Sequence, residues 1–216
     1  MKKAAPERSQ PGESKSLSPR DRILLTAAEL FYRHGIHSVG IDRIIEESGV
    51  AKMTFYRHFP SKARLVAQYL AQKEQNWQSL VAQFTGGAGK VPAEKLLAIF
   101  DALELAIKNP GFCGCPFIKA LAEFGPERKD PEVEAQISRH FADLEGVVMP
   151  WLRQVRSKDA KELLQPLMSL ITGTIVIAQA TGQTEVASRN KAVAQTLLEQ
   201  KQLRRLYIPK RKVSHH

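Results

Sequence analysis

Residues 41–62, IDRIIEESGVAKMTFYRHFPSK, contain the pattern on which the fold of this chain depends. Ile41, Ile44 and Ile45 recur at the spacing of one buried helical face. A second short helical segment follows the sequence Ser48-Gly49-Val50. Glycine adopts the positive φ of a tight turn without a Cβ clash. The stretch therefore predicts two short helices joined by a tight turn, which is the pattern of a helix-turn-helix.

The second helix of this pattern is predicted to expose a polar face, because Val50, Phe55 and Phe59 fall at spacings that return to the core. The side chains predicted to face away from the core are Lys52, Met53, Thr54, Tyr56, Arg57 and His58. Cations and hydroxyls bind phosphate oxygens, while Thr, Met and Tyr side chains contact base edges and thymine methyl groups. Lys62 lies in the first turn of the next helix, where backbone N–H groups also bind phosphate. We interpret this face as a DNA contact surface, against the alternative of an ordinary polar helix face.

The composition is that of a soluble globular protein with a basic balance. The chain has 216 residues, of which 43% are hydrophobic and 25% charged, and its formal net charge is +10. This balance favours nucleic acid or an anionic membrane surface as a partner. No apolar run reaches the roughly eighteen residues of a transmembrane helix, so we expect no membrane span. No hydrophobic stretch follows the basic start, so we expect no secretory signal and a cytoplasmic location.

Helical spacing continues through the rest of the chain, and no segment alternates with period two for long enough to predict a strand. We therefore predict an all-α protein. Ser18 and Pro19 are predicted to start the first helix as its N-cap and its first helical residue. Gly35 is predicted to end that helix as a left-handed cap. A long helix is predicted from Pro131, with a kink at Pro150.

The motif resembles that of the TetR family of bacterial transcriptional regulators over about residues 20–65. The matching residues are Ile23, Ala27-Ala28-Glu29-Leu30-Phe31, Gly35, Ile44, Gly49-Val50, Thr54-Phe55-Tyr56, His58-Phe59 and Ser61-Lys62. The resemblance implies an all-helical homodimer that binds a palindromic operator on double-stranded DNA. It also implies that a small molecule bound to the C-terminal domain releases the operator.

The same resemblance assigns roles to the exposed side chains. It implies base contacts for Lys52, Met53 and Tyr56. It implies mainly phosphate contacts for the other exposed residues, with Thr54 sometimes contacting a base as well. The full set expected at the DNA is Arg43, Lys52, Met53, Thr54, Tyr56, Arg57, His58 and Lys62.

Three residues depart from the family pattern. Gly40 and Ala51 stand where a capping Ser or Thr is usual, so both helices of the motif are expected to begin without a side-chain cap. Ile45 replaces a common small alanine, which demands a different packing where the two helices cross. None of these departures removes a predicted DNA contact.

The C-terminal part is predicted to bind an effector and to dimerise. The predicted division is a disordered arm at 1–17, a three-helix DNA-binding domain at 18–65, a helical effector-binding and dimerisation domain at 66–206, and a basic tail at 207–216. The segment 167–180 is too apolar to bury only one face. It is therefore either the core of a monomer or part of a four-helix bundle completed by a second subunit. The candidate pocket residues are Phe100, Leu103, Phe117, Leu121, Phe124, Phe141, Met149, Trp151 and Met168.

The segment Cys113-Gly114-Cys115 leaves several hypotheses open. Paired thiols can sense oxidants or electrophiles, bind a metal together with His140, serve a thiol-dependent enzyme, or simply pack at a helix start. The chain has no phosphate loop, nucleophile elbow or metal-binding helix motif, and Cys-x-Cys falls short of a zinc pattern. We therefore predict no enzyme, no metal and no cofactor. The leading hypothesis is a ligand-released repressor. The alternatives are a redox- or electrophile-sensing regulator acting through Cys113 and Cys115, and a constitutive DNA-binding protein.

Overall fold

The first helix begins where the sequence places a capping side chain. The Ser18 Oγ accepts a hydrogen bond of 3.2 Å from a backbone N–H three residues on, and Pro19 occupies the first turn. At the other end Gly35 has φ 89° and ψ 156°, so it takes a positive φ but not the predicted left-handed helical cap. The extended ψ instead directs the next two backbone N–H groups to the Glu123 carboxylate, which accepts a hydrogen bond from each.

The computed structural model describes residues 17–87, 91–125 and 130–200, and within them the chain forms nine helices and no strand. The helices are α1 (Pro19–His34), α2 (Ile41–Ser48), α3 (Lys52–His58), α4 (Lys62–Thr85), α5 (Pro92–Lys108), α6 (Pro116–Phe124), α7 (Pro131–Val155), α8 (Ala160–Thr181) and α9 (Val186–Glu199). The predicted all-α fold is confirmed. The predicted basic tail and nearly all of the predicted arm lie outside the described residues.

Two buried clusters organise these helices. We call α1, α2, α3 and the first half of α4 the N-terminal unit. Its core contains Ile23, Phe31, Ile44, Phe55 and Leu65, and it continues into α6 and the start of α7. The second cluster joins α4, α5, α7, α8 and α9. The predicted domain boundary at residue 65 therefore falls inside α4, a single helix that contributes to both clusters.

α8 is an apolar helix with one buried and one exposed side. By length and by a mean hydropathy of 1.5 it could cross a membrane, although the core helix of a soluble protein passes the same test. Leu163, Leu167 and Ile171 are buried, whereas Val176 and Ile177 are 43% and 45% exposed. α7 continues through Pro150, and the kink predicted there stays a prediction.

Candidate functional site

The turn between α2 and α3 fixes the position of α3. Gly49 adopts φ 63° and ψ 34°, the left-handed conformation that favours glycine, and its N–H donates to two carbonyl oxygens at the end of α2. Ile44 on α2 and Phe55 on α3 are both fully buried. Because α3 has only seven residues, burial of Phe55 and of the following Phe59 determines which side of it faces solvent.

The opposite side of α3 is exposed. Met53 is 81% exposed and Tyr56 is 39% exposed, and Lys52 and Arg57 also lie in solvent. Thr54 and His58, which the sequence predicts to face away from the core, are half-buried, because a short helix leaves flanking positions partly covered by its neighbours. The predicted DNA-facing side chains thus lie together on and beside one helix, with Met53 and Tyr56 the most prominent apolar members.

The cations near this face have carboxylate neighbours. Lys52 lies 3.5 Å from Asp42, and the Nε of Arg43 donates to Glu47 at 2.7 Å. Exposed pairs of this kind contribute only about 0–1 kcal/mol, so phosphate oxygens can replace the carboxylates at little cost. The pKa of the half-buried Lys62 is lowered by its burial, an effect that the charge of Glu123 partly offsets.

The helix starts of the motif lack side-chain caps, as the sequence predicts. Neither Gly40 before α2 nor Ala51 before α3 makes a side-chain capping hydrogen bond. The side chains of Phe55 and Phe59 instead hold α3, because both are buried in the core of the N-terminal unit. The anchoring of α3 therefore depends on its buried face.

A cavity of about 460 Å³ lies in the C-terminal part, bounded by α1, α4, α5, α6, α7, α8 and the α5–α6 segment. Three of the residues predicted for the pocket line it, namely Leu103, Phe117 and Phe141. The other lining residues include Tyr32, Lys73, Asn76, Trp77, Phe112, Cys115 and His140. The walls are mainly apolar, and a few polar groups converge on them, which is typical of small-molecule sites.

The remaining residues predicted for the pocket lie elsewhere. Phe100, Met149, Trp151 and Met168 belong to the second buried cluster or pack against it, and Leu121 and Phe124 pack against the core of the N-terminal unit. Each helix contacts neighbours on several sides, so an apolar side chain fills a helix–helix contact as readily as a cavity wall. Helical spacing alone does not distinguish these two positions.

Tyr32 connects the N-terminal unit to the cavity. It belongs to α1, yet its hydroxyl donates to the Gly114 carbonyl at 2.9 Å and accepts from the Cys113 N–H at 3.0 Å. The Lys73 ammonium lies 4.3 Å from the centre of its ring. Burial raises the pKa of Tyr32 and lowers that of Lys73. No local signal in α1 indicates this role, because it depends on the distant α5–α6 segment.

Glu123 makes a second connection of the same kind. Its carboxylate, at the end of α6, accepts from the Ile36 N–H at 2.9 Å and from the His37 N–H at 2.6 Å. These N–H groups belong to the segment between α1 and α2. α6 also supplies Phe117 to the cavity wall, so one short helix contacts both the cavity and the N-terminal unit.

A polar cluster occupies one wall of the cavity. The Nδ1 of His140 lies 2.5 Å from Glu74 Oε2, and the His140 ring stacks on Phe117 with 3.8 Å between centroids. Burial lowers the pKa of His140, but Cys115 and Glu74 outweigh this effect and raise its pKa to about 9. Cys113 and Cys115 are both free thiols. Among the described residues, no group of three or more His, Cys, Asp and Glu side chains is arranged to hold a metal ion.

Comparison with known proteins shows that this chain is similar to bacterial transcriptional regulators. Residues 23–69 match the family described as bacterial regulatory proteins, tetR family. The chain is 38% identical to the transcriptional activator FasR of Mycolicibacterium smegmatis over 63 residues, which are 29% of this chain and 27% of FasR. It is 26% identical over 147 residues to the transcriptional regulator TcmR of Streptomyces glaucescens, covering 59% of this chain and 61% of TcmR. The chain thus spans less than two thirds of either relative.

The similarity to a solved structure extends over most of the chain. A TetR-family transcriptional regulator from Streptomyces coelicolor superposes with a TM-score of 0.77 and 30% identity, over 83% of this chain and 94% of that one. The similarity therefore includes both the N-terminal unit and the helices that enclose the cavity.

Proposed function

This chain belongs to the TetR family of bacterial transcriptional regulators, and we propose that it regulates transcription as a homodimer on a palindromic DNA operator. A small molecule bound in the cavity releases the operator. The proposal assigns no catalytic activity and no cofactor, in agreement with the regulator names of its relatives. A cytoplasmic location follows from the proposal, because the operator lies on the chromosome.

The exposed face of α3 is the observation that carries this proposal. Met53 and Tyr56 project from a helix whose other side is fully buried, and Lys52 and Arg57 flank them. A helix held in this way enters the major groove, where apolar and hydroxyl side chains contact bases and cations contact phosphates. The formal net charge of +10 supports a polyanionic partner.

The exposed side of α8 and α9 supports dimerisation. Val176 and Ile177 on α8 and Val193 on α9 are each more than 40% exposed. The buried half of α8 already completes the core of one chain, so the exposed apolar residues favour the interpretation in which a second subunit completes a four-helix bundle. Two copies then place their α3 helices in half-sites about 34–36 Å apart.

The two connections to the N-terminal unit support release by a ligand. Tyr32 belongs to the N-terminal unit and borders the cavity, and α6 borders the cavity and contacts the N-terminal unit through Glu123. A ligand that fits one arrangement of these elements better than another shifts the equilibrium towards it. The mainly apolar walls favour a small molecule of largely apolar or aromatic character.

Gel-shift titration on DNA from upstream of the protein's own gene tests the proposal. We expect a palindrome bound with a stoichiometry of two chains, and loss of binding when a matching small molecule is added. Because FasR is an activator, a reporter assay determines the direction of regulation. No sequence preference over random DNA of equal length would contradict operator binding. Binding that no cavity ligand changes would favour a constitutive DNA-binding protein.

A further inference from the structure

Lys73 is a cationic side chain in the mainly apolar wall of the cavity. It lies in the middle of α4, is half-buried, and lines the cavity beside Tyr32. Its ammonium lies 4.3 Å from the centre of the Tyr32 ring and 5.8 Å from that of Tyr69. Among the described residues, no carboxylate lies within 4.0 Å of this ammonium and no group accepts a hydrogen bond from it. Burial of the charge lowers the pKa of Lys73.

Two other basic side chains near the cavity already have polar partners. The Nζ of Lys119 donates a hydrogen bond to the Tyr32 carbonyl, and Lys119 is not one of the residues that line the cavity. His140 lines the cavity, but its Nδ1 lies 2.5 Å from Glu74 Oε2, so a carboxylate meets its charge. The described residues that line the cavity include no Asp and no Glu. In this described wall, Lys73 is therefore a cation that no carboxylate neutralises.

Asn76 places a neutral hydrogen-bond donor next to this cation. Lys73 and Asn76 are three residues apart on α4, so their side chains lie on the same face of the helix, and both line the cavity. An ammonium and a side-chain amide both donate to carboxylate oxygens. Much of the remaining wall is hydrocarbon, including Leu103, Phe117 and Phe141. The cavity therefore combines donors on one stretch of α4 with a mainly apolar surface elsewhere.

We propose that the cavity binds a small apolar acid, whose carboxylate pairs with Lys73 and accepts a hydrogen bond from Asn76 while its hydrocarbon body contacts the apolar walls. The cavity volume of about 460 Å³ is in the range typical of small-molecule sites. Aromatic acids and medium-chain fatty acids both belong to this chemical class, because they share the carboxylate and the apolar body. The proposal names the chemical class of the effector, and it rests on the proposed function only for the effect of binding on DNA affinity.

A carboxylate gains more from Lys73 than it would gain from a lysine at the protein surface. Exposed ion pairs contribute little, because water solvates both charges well before they meet. Lys73 is half-buried against two aromatic rings, so its ammonium has already lost part of its hydration in the folded chain. Charge-assisted hydrogen bonds are also roughly twice as strong as bonds between neutral groups. An acid is therefore expected to bind more tightly than a neutral amide of the same shape.

The position of Lys73 also places the bound carboxylate beside α1. A second hollow shares Tyr32, Lys73 and Gly111 with the cavity, and it also contains Glu29 and Arg33, which pair with each other at 3.5 Å. Lys73 thus lies where the two spaces meet. A carboxylate that draws the ammonium away from the Tyr32 ring changes a contact between α4 and the N-terminal unit, so we expect acid binding to alter DNA affinity.

Isothermal titration calorimetry on the full-length chain with matched acids and amides tests the proposal. The probes are 2-naphthoate with 2-naphthamide, and decanoate with decanamide, so each pair differs only in the charged group. We expect at least one acid to bind about tenfold more tightly than its amide. The pair that shows the larger preference distinguishes an aromatic from an aliphatic body. Equal affinities within both pairs, or no saturable binding of either acid, would overturn the proposal.

Substitutions at two lysines test which cation binds the carboxylate. Lys73→Met is expected to weaken binding of the acid by about tenfold and to leave the amide unchanged, whereas Lys73→Arg retains the preference for the acid. Lys119→Met is the matched control, because Lys119 also lies over the Tyr32 ring, at 5.4 Å, but does not line the cavity. Circular dichroism verifies folding, and the comparison of acid with amide in the unsubstituted chain depends on no variant. An unchanged preference in folded Lys73→Met would overturn the assignment of Lys73.

A parallel gel shift with the same probes separates this proposal from the proposed function. Acid binding that depends on Lys73 and changes operator affinity supports both. Acid binding that depends on Lys73, in a chain that binds no operator, supports the acid site and contradicts the regulator function. Operator binding by a chain that shows no preference for either acid supports the regulator and overturns the acid site.

Discussion

The N-terminal unit and the cavity region, by which we mean the residues that line the cavity, are both helical. They differ in where their charged and polar side chains lie. In the N-terminal unit, Ile44 and Phe55 are fully buried, whereas Lys52 and Arg57 on the opposite side of α3 lie in solvent. In the cavity region, polar groups lie in an apolar wall, and the pKa values of Tyr32, Lys73 and His140 are displaced. The first arrangement presents charge to a polyanion in water. The second places a few polar groups in mainly apolar walls, which is typical of small-molecule sites.

The two regions are joined through few contacts. Tyr32 reaches from the N-terminal unit into the cavity wall, and Glu123 reaches back from α6 to the segment after α1. In the proposed function, these contacts are the positions through which a ligand in the cavity would change the placement of α3. The comparison therefore predicts different consequences for substitutions in the two regions and at the contacts between them.

The largest expected effect is a difference in stability loss between a substitution in the core of the N-terminal unit and one in the cavity wall. Leu65 and Leu103 are both buried, but Leu65 packs in the N-terminal unit and Leu103 lines the cavity. We expect Leu65→Ala to lower the free energy of unfolding by about 4 kcal/mol, and Leu103→Ala by about 2 kcal/mol, because Leu103 already lacks contacts on its cavity side. Denaturant unfolding at one fixed protein concentration measures both. Equal losses of stability in the two variants would contradict the expected difference between the two positions.

A pH dependence is expected from the cavity region. The folded-state pKa of His140 is raised from 6.5 to about 9. The stabilisation is therefore fully present below about pH 6.5 and is lost as the pH rises through 9, with a magnitude of roughly 3 kcal/mol. Unfolding under reducing conditions at pH 6.5 to 9.5 measures it, with His140→Gln as the reference. Parallel pH profiles for the two proteins would show that His140 does not contribute.

On the DNA-binding face, Tyr56→Ala is expected to weaken operator affinity by roughly 1–3 kcal/mol while fold and dimerisation stay intact. Tyr56→Phe keeps the ring that contacts Phe55 and so isolates the contribution of the hydroxyl. Gel-shift titration at fixed salt measures both variants. An unchanged affinity in Tyr56→Ala would exclude Tyr56 from the interface.

A substitution at Glu123, which connects the two regions, is expected to have a smaller effect on stability. Glu132 offers a matched control. Glu123→Gln loses one of two charge-assisted hydrogen bonds to backbone N–H groups, and we expect a loss of about 1–2 kcal/mol in stability. Glu132→Gln removes the charge from a 3.0 Å pair with Arg64 whose side chains are about half exposed, and its expected effect is about 0–1 kcal/mol. Thermal unfolding compares them. A larger loss in Glu132→Gln would reverse the assignment of the connecting contact.

The smallest expected effect concerns Lys62. Lys62→Ala should lower affinity similarly on all DNA sequences and reduce the salt dependence of binding by roughly one phosphate contact. Affinities measured across a range of salt concentrations on operator and random DNA give this slope. A loss confined to the operator would indicate a base contact instead.

Local pattern was sufficient for the helices and for the exposed residues of α3. Ser18 and Gly49 act through neighbours within a few positions, so their roles follow from spacing and capping chemistry alone. The prediction for Gly35 was wrong in its ψ because Glu123, far along the chain, receives the following N–H groups. The pocket was predicted less completely, because apolar periodicity marks burial but not whether a buried side chain faces a cavity.

The sequence by itself determined the all-α class, the helix-turn-helix and the side chains that α3 presents, since each depends on interactions between residues close in the chain. Only the tertiary structure decided which side chains enclose the cavity and that Tyr32, Glu123 and the pair of Glu74 and His140 join distant helices. The physical reason is that these contacts depend on how the helices cross. That geometry arises from the packing of whole faces rather than from any local pattern.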